Sequence, residues 1–204
     1  MAGAVESAPS PSSHLYARGM SHFTARSTAE GLLGSVEPRW SHVRGVAEVA
    51  DRITTLSGCR RAVVDAAWLH DIGYAPTVRR TGFHPLDGAT FLAEEGFAKD
   101  VVGLVAFHTG AEFEARERSL MRELNRFHRP DQDDLDALIL ADLSVSPRGL
   151  RIHPEDRIVE ILGRYPVSDP VHRAVSRSRN HLLTCAARAA LATGSPDEWG
   201  FAAA

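Results

Sequence analysis

The sequence predicts an all-α domain, and three observations carry that prediction. Apolar residues recur three and four positions apart through most of the 204-residue chain, the repeat of a helix with one buried face. No stretch alternates convincingly between apolar and polar residues as a half-buried strand does. Segment after segment is bounded by a glycine, a proline or an acidic residue of the kind that starts or stops helices.

Residues 1–21 are small and polar, with the run Pro9-Ser10-Pro11-Ser12-Ser13, and are expected to be disordered. The helical bundle is expected over 22–193, followed by a fraying tail over 194–204. A short helix is expected over Ala25 to Leu33. From Trp40, residues His42, Val46, Val49, Ile53 and Leu56 share one face until Ser57-Gly58 ends the helix. The next helix runs from about Arg60 to His70 with Val63, Ala66, Ala67 and His70 inward.

A loop from Tyr74 to Phe83 follows. Pro85 then reads as a first helical residue, with His84 at the cap of a helix to about Glu95. Val101, Leu104, Val105 and His108 align on a helix over about Ala98 to His108. The charged stretch from Ala111 to Arg129 reads as a surface helix or lid. Asp131, Asp133 and Asp134 suit the positive end of the next helix, in which Asp142 takes the place of an apolar residue. A turn over Val145 to Arg151 precedes a helix from Pro154 to about Gly163, and a long one follows over about Asp169 to Ala192.

Composition narrows the function. At 44% hydrophobic residues the chain can bury a sizeable core. A formal charge of -3 gives no basic field for a nucleic acid polymer. No apolar run approaches the ~18–20 residues that span a bilayer. Two cysteines, Cys59 and Cys185, make no disulfide framework, so a reducing, cytoplasmic setting is expected.

The chemistry concentrates at Leu69-His70-Asp71-Ile72-Gly73. An apolar run leads straight into an adjacent imidazole and carboxylate, and leaving such groups buried without partners costs roughly 1–3 kcal/mol each. His42, His84, His108 and Asp142 stand at the ends or faces of other apolar helices. Imidazole and carboxylate together suit iron, manganese, cobalt, nickel or zinc. These six residues are therefore read as the ligands of a divalent metal centre, expected to hold two ions. Asp71, with two oxygens at the end of its helix, is placed as the bridge. His42, His70, Asp71 and Asp142 would hold one ion, and Asp71, His84 and His108 the other. The net positive charge of such a site would attract a phosphate. Paired ions lower the pKa of bound water to about 7, which makes a shared hydroxide the expected nucleophile.

The order His42, His70-Asp71, Asp142 resembles the HD-domain superfamily of metal-dependent phosphohydrolases, over about Trp40 to Gly163. The His-Asp-Ile-Gly run matches its eponymous motif. His84-Pro85-Leu86-Asp87-Gly88-Ala89, His108-Thr109 and Ala141-Asp142-Leu143-Ser144-Val145-Ser146-Pro147-Arg148 are similar to signatures of a dinuclear branch, which includes bacterial diadenosine-tetraphosphate hydrolases. The arginine spacing differs slightly, and Tyr74 stands where many relatives carry lysine. The resemblance implies an all-α bundle with metals between helices. It implies hydrolysis of a phosphate ester or anhydride in a small, nucleotide-like molecule. Some proteins of this fold with a di-iron centre are instead oxygenases, and others are regulatory binding modules. Arg148 is a candidate for holding substrate phosphate. Arg79, Arg80 and Tyr74 are candidates because they follow the motif toward the expected mouth.

Overall fold

Helix boundaries in this protein follow the local chemistry of the sequence. The computed structural model describes residues 24–201, so the segment predicted to be disordered lies outside the described residues. α1 spans Ala25–Leu33, with the Thr24 side chain accepting from the Ser27 amide at its start. α2 spans Arg39–Ser57 and ends where Gly58 takes a left-handed conformation at φ 76°, the usual glycine stop. α3 (Ala62–Leu69), α4 (His84–Glu94) and α5 (Lys99–Phe107) follow. His84 is itself the first helical residue of α4 and Phe83 is its cap, one position earlier than the proline rule suggests.

The charged stretch after His108 is not one helix. It forms α6 (Ala111–Glu117) and α7 (Met121–Leu124), separated where Ser119 adopts φ 59°. α8 (Gln132–Leu143) starts at Asp131, whose carboxylate accepts from the Asp133 amide. α9 (Pro154–Arg164) is capped by His153, and α10 (Pro170–Ala192) by Asp169. Among the described residues the extended pairing is a single bridge between Val145 and Arg151.

α3 and α8 are the centre. α3 buries Val63, Val64, Ala66, Ala67 and Leu69, and α8 buries every residue from Asp134 to Leu143. α2 and α5 pack on both, α10 covers α8, α1 lies on α3 and α4 pairs with α5. The acids opening α8 do more than favour its positive end. Asp134 accepts from Arg60 Nε at 2.5 Å, and Asp136 from Arg188 Nε at 2.6 Å. These pairs tie α8 to the start of α3 and to α10.

The tail does not fray over its described part. Pro196–Trp199 forms a 3-10 turn, Trp199 is 2% exposed, and its indole N–H donates to Thr193 Oγ1 at 3.0 Å. A large aromatic ring offers more apolar area than solvent exposure of a terminus can offset. No helix among the described residues is long and apolar enough to cross a membrane.

Candidate metal centre

The His70-Asp71 pair owes its geometry to a change of winding. α3 ends at Leu69, His70 caps it, and a 3-10 turn runs over Ile72–Tyr74. On a continuous α-helix neighbouring side chains diverge by about 100°. The tighter turn after Asp71 brings both into one space, with His70 Nε2 3.4 Å from Asp71 Oδ2. Gly73 makes the fold possible here: a Cβ on it would lie 2.1 Å from the carbonyl oxygen of His84. The missing side chain lets the motif turn rest directly on the backbone that carries His84.

The other ligands arrive from separate elements. His42 comes from the first turn of α2 and Asp142 from the last turn of α8, with His42 Nε2 3.0 Å from Asp142 Oδ1. His84 opens α4 and His108 follows α5, and their Nε2 atoms are 3.1 Å apart. His42, His70, Asp71, His108 and Asp142 are buried, and the His84 side chain is 17% exposed. The six form two trios of converging ligand atoms, His42–His70–Asp142 and Asp71–His84–His108. Asp71 joins them: its Oδ2 is 3.4 Å from His70 and 3.8 Å from His42, and its Oδ1 is 3.3 Å from His84.

Ring orientation is fixed from behind. Nδ1 of His70 lies 2.8 Å from the Ala67 carbonyl, Nδ1 of His108 2.7 Å from that of Val105, and Nδ1 of His42 3.1 Å from that of Ser146. A carbonyl only accepts, so each Nδ1 carries a proton and each ring turns its Nε2 into the centre, where it can serve as a ligand atom. Ser146 belongs to the loop after Asp142. Gly149 holds that loop against α2, since a Cβ there would meet the Ser41 carbonyl at 2.5 Å. Thr109, at φ 41°, donates its hydroxyl to Asp142 Oδ2 at 2.5 Å. A left-handed threonine is strained, and such strain gathers at functional sites.

The electrostatics suit cations. Burial works to raise the Asp71 carboxyl, but the Arg39 guanidinium at 2.6 Å and the positive charge of His70 hold it well below the ordinary carboxylate range. Asp142 is likewise held low against burial, by the His42 ring at 3.0 Å and by the positive charge of His70 and Arg157. Burial and neighbouring positive charge push His84 and His108 down, keeping both rings neutral. At His70, burial favours the neutral ring, but the Asp71 carboxylate outweighs it and raises the pKa.

These residues fit divalent ions by an observation of their own. His70 Nε2 is buried with no hydrogen-bond partner. A cation in the trio with His42 and Asp142 would give that nitrogen a partner. The donor set of four imidazoles and two carboxylates is that of a first-row transition metal.

The centre opens on a cavity of about 90 Å³ whose lining includes Arg39, Tyr74, Glu114, Arg157, Arg164 and Tyr165. Of the substrate candidates, Tyr74 is at this cavity. Its ring stacks on His84 at 4.2 Å, and the Arg39 guanidinium sits 4.0 Å over its other side. Arg148, Arg79 and Arg80 are not brought there. Arg148 lines a separate open groove with Arg44 and Asp51. Arg80 pairs with Glu94 at 2.6 Å, and Arg79 is exposed beside Gly82. The segment that resembles the arginine signature reaches the centre through Asp142 and through the Ser146 carbonyl on His42, and not through Arg148. Asp87 contacts no ligand histidine; it accepts from the backbone amides of Arg80, Thr81 and Gly82 and so closes the loop before His84.

Sequence reasoning missed Arg39, Arg157 and Arg164. Arg39 stands three residues before His42, on the same helical face. Arg157, Ile161 and Arg164 occupy the i, i+4 and i+7 positions of α9, a stripe that periodicity makes visible, and Tyr165 caps the helix. Comparison with curated proteins and with solved structures gives no match. The family model for the HD domain matches residues 39–165, from the arginine on Asp71 to the tyrosine at the cavity wall. With the motif turn, both ligand trios and helices α2 to α9 inside that span, the chain belongs to the HD-domain superfamily of metal-dependent phosphohydrolases.

Proposed function

We propose that the protein is a metal-dependent hydrolase of a phosphate ester or anhydride in a small molecule, nucleotide-like substrates included. One observation carries the reading: Asp71 directs one carboxylate oxygen toward each ligand trio, beside a cavity walled by three arginines. His42, His70, Asp71 and Asp142 would hold one divalent ion, and Asp71, His84 and His108 a second. When bound, such ions supply Lewis acidity and a coordinated water of lowered pKa. Iron and manganese are the ions first to be tested.

The chain's own residues do the rest. Thr109 and His42 fix the Asp142 carboxylate from two sides. The backbone carbonyls of Ala67, Val105 and Ser146 hold three rings in one tautomer. The guanidiniums at the cavity wall supply positive charge and paired N–H donors for a phosphate dianion. Tyr74 covers the outer face of His84 and keeps water from that side. The free thiols of Cys59 and Cys185 support a reducing, cytoplasmic setting.

Purified protein supplied with iron or manganese is screened against nucleotides and phosphate monoesters. Turnover is expected, and Asp71→Ala is expected to abolish it. Full metal occupancy with no turnover on any phosphate substrate overturns the reading.

A further inference from the structure

α9 turns two arginines toward the cavity, and one of them carries a buried donor without an acceptor. Arg157 is 5% exposed. Its Nη1 is taken by Glu160, whereas its Nε is buried without any hydrogen-bond acceptor. A buried donor left unpaired is costly, and its persistence points to an acceptor that arrives from outside. The same Glu160 accepts from Arg164 Nε at 3.0 Å and Nη2 at 2.5 Å. One carboxylate therefore holds two guanidiniums side by side, both at the cavity that the candidate metal ligands share.

We propose that Arg157, with Arg164 beside it, forms an anion subsite that receives the phosphoryl group of the substrate; the subsite rests on the phosphohydrolase reading. The guanidinium fork matches the spacing of phosphate oxygens. Size agrees. At about 90 Å³ the cavity holds about three waters at ~30 Å³ each, or a phosphoryl group in their place, far below the ~300–1,000 Å³ of pockets that enclose drug-sized ligands. The subsite reads the phosphoryl group, and the organic part of the substrate is compact or stays outside.

The test is binding of inorganic phosphate to the manganese-loaded protein by titration calorimetry, with metal content measured in parallel. Arg157→Gln is expected to weaken phosphate binding by about ten- to a hundredfold, the loss of a charged hydrogen bond. Arg157→Lys, which keeps the charge and loses the fork, is expected to fall between that variant and the parent. Metal content is expected to stay at the parent value, and Arg79→Gln to bind phosphate as the parent does. Should Arg157→Gln lose its cooperative thermal transition, Arg157→Lys and Arg164→Gln carry the test by the same readout.

Phosphate affinity unchanged in the Arg157 variants, or no phosphate binding by the parent, overturns the subsite. The two readings fail separately. Arg157-dependent phosphate binding without hydrolysis of any ester sinks the phosphohydrolase reading and leaves the subsite. Hydrolysis with phosphate affinity indifferent to Arg157 sinks the subsite alone.

Discussion

The Nε2 atoms of His84 and His108 lie 3.1 Å apart, although the two residues belong to different helices and each ring is held neutral. Two neutral imidazoles share at most one proton across such a gap, whereas a cation satisfies both lone pairs. At the other trio His42, His70 and Asp142 likewise bring one potential ligand atom each to a common point.

The stoichiometry of bound metal follows. Protein purified and reloaded with manganese or iron is expected to hold about two ions per chain, one for each trio. His84→Ala and His108→Ala are each expected to reduce the content to about one. Asp71→Ala is expected to weaken both sites, because its two oxygens face different trios. Elemental analysis of gel-filtered protein measures this. A parent content near one assigns His84 and His108 another role.

Gly73→Ala is expected to damage the fold and the site together. The added Cβ would meet the His84 carbonyl oxygen at 2.1 Å, and backbone on both sides leaves nothing flexible to yield. Overpacking of this kind costs about 1–3 kcal/mol or more. Urea unfolding measures the loss in stability. Metal affinity is expected to fall further in Gly73→Ala than in Gly31→Ala, since Gly31 lies within α1 with open space around it.

Much of this was legible in the sequence, for physical reasons that also mark where reading stops. α1 begins and ends where its apolar spacing and its cap place it, and Gly58 stops α2 in the left-handed conformation that glycine tolerates best. Those are local effects. The six ligand residues stood out because imidazoles and carboxylates in apolar helices need partners, and the structure brings all six together. The arginines were harder. An arginine on an amphipathic helix looks the same in sequence whether it faces solvent or a cavity. Arg148 follows Asp142 closely in the chain yet lines another groove, while Arg157 lies farther along the chain and reaches the centre because α9 folds back over it. The docking of Trp199 was hidden for the same reason, since its partners Thr193 and Arg151 are fixed by tertiary packing.

That docking predicts a large role for a residue near the chain's end. Trp199→Ala removes an indole that is 2% exposed, donates to Thr193 and lies under the Arg151 guanidinium at 4.5 Å. Truncating a buried aromatic to alanine costs about 3–5 kcal/mol. Thermal and urea unfolding are expected to show a loss of that order. A loss no larger than that of an exposed-residue control such as Leu191→Ala would show that the tail is dispensable.

Cys185 sets a pH dependence of stability. Burial pushes its thiol up to about 11, aided by Asp136 and opposed by Arg188. An unfolded cysteine loses its proton near ~8.5. Between those values the folded chain binds more protons than the unfolded chain, so stability falls as pH rises through that window. Below the lower value both states keep the proton and the contribution is constant. Urea midpoints from pH 8 to 11 are expected to decline less steeply in Cys185→Ala than in the parent, and equal slopes would remove the thiol as the cause.

Three ligand rings are tethered through Nδ1 to carbonyls of Ala67, Val105 and Ser146, which lie at helix ends and in a loop clamped by Gly149. The rings need not be gathered when an ion arrives. Uptake should be paced by how readily the incoming ion sheds its hydration shell. Treatment with a chelator should leave the positions of these three rings unchanged.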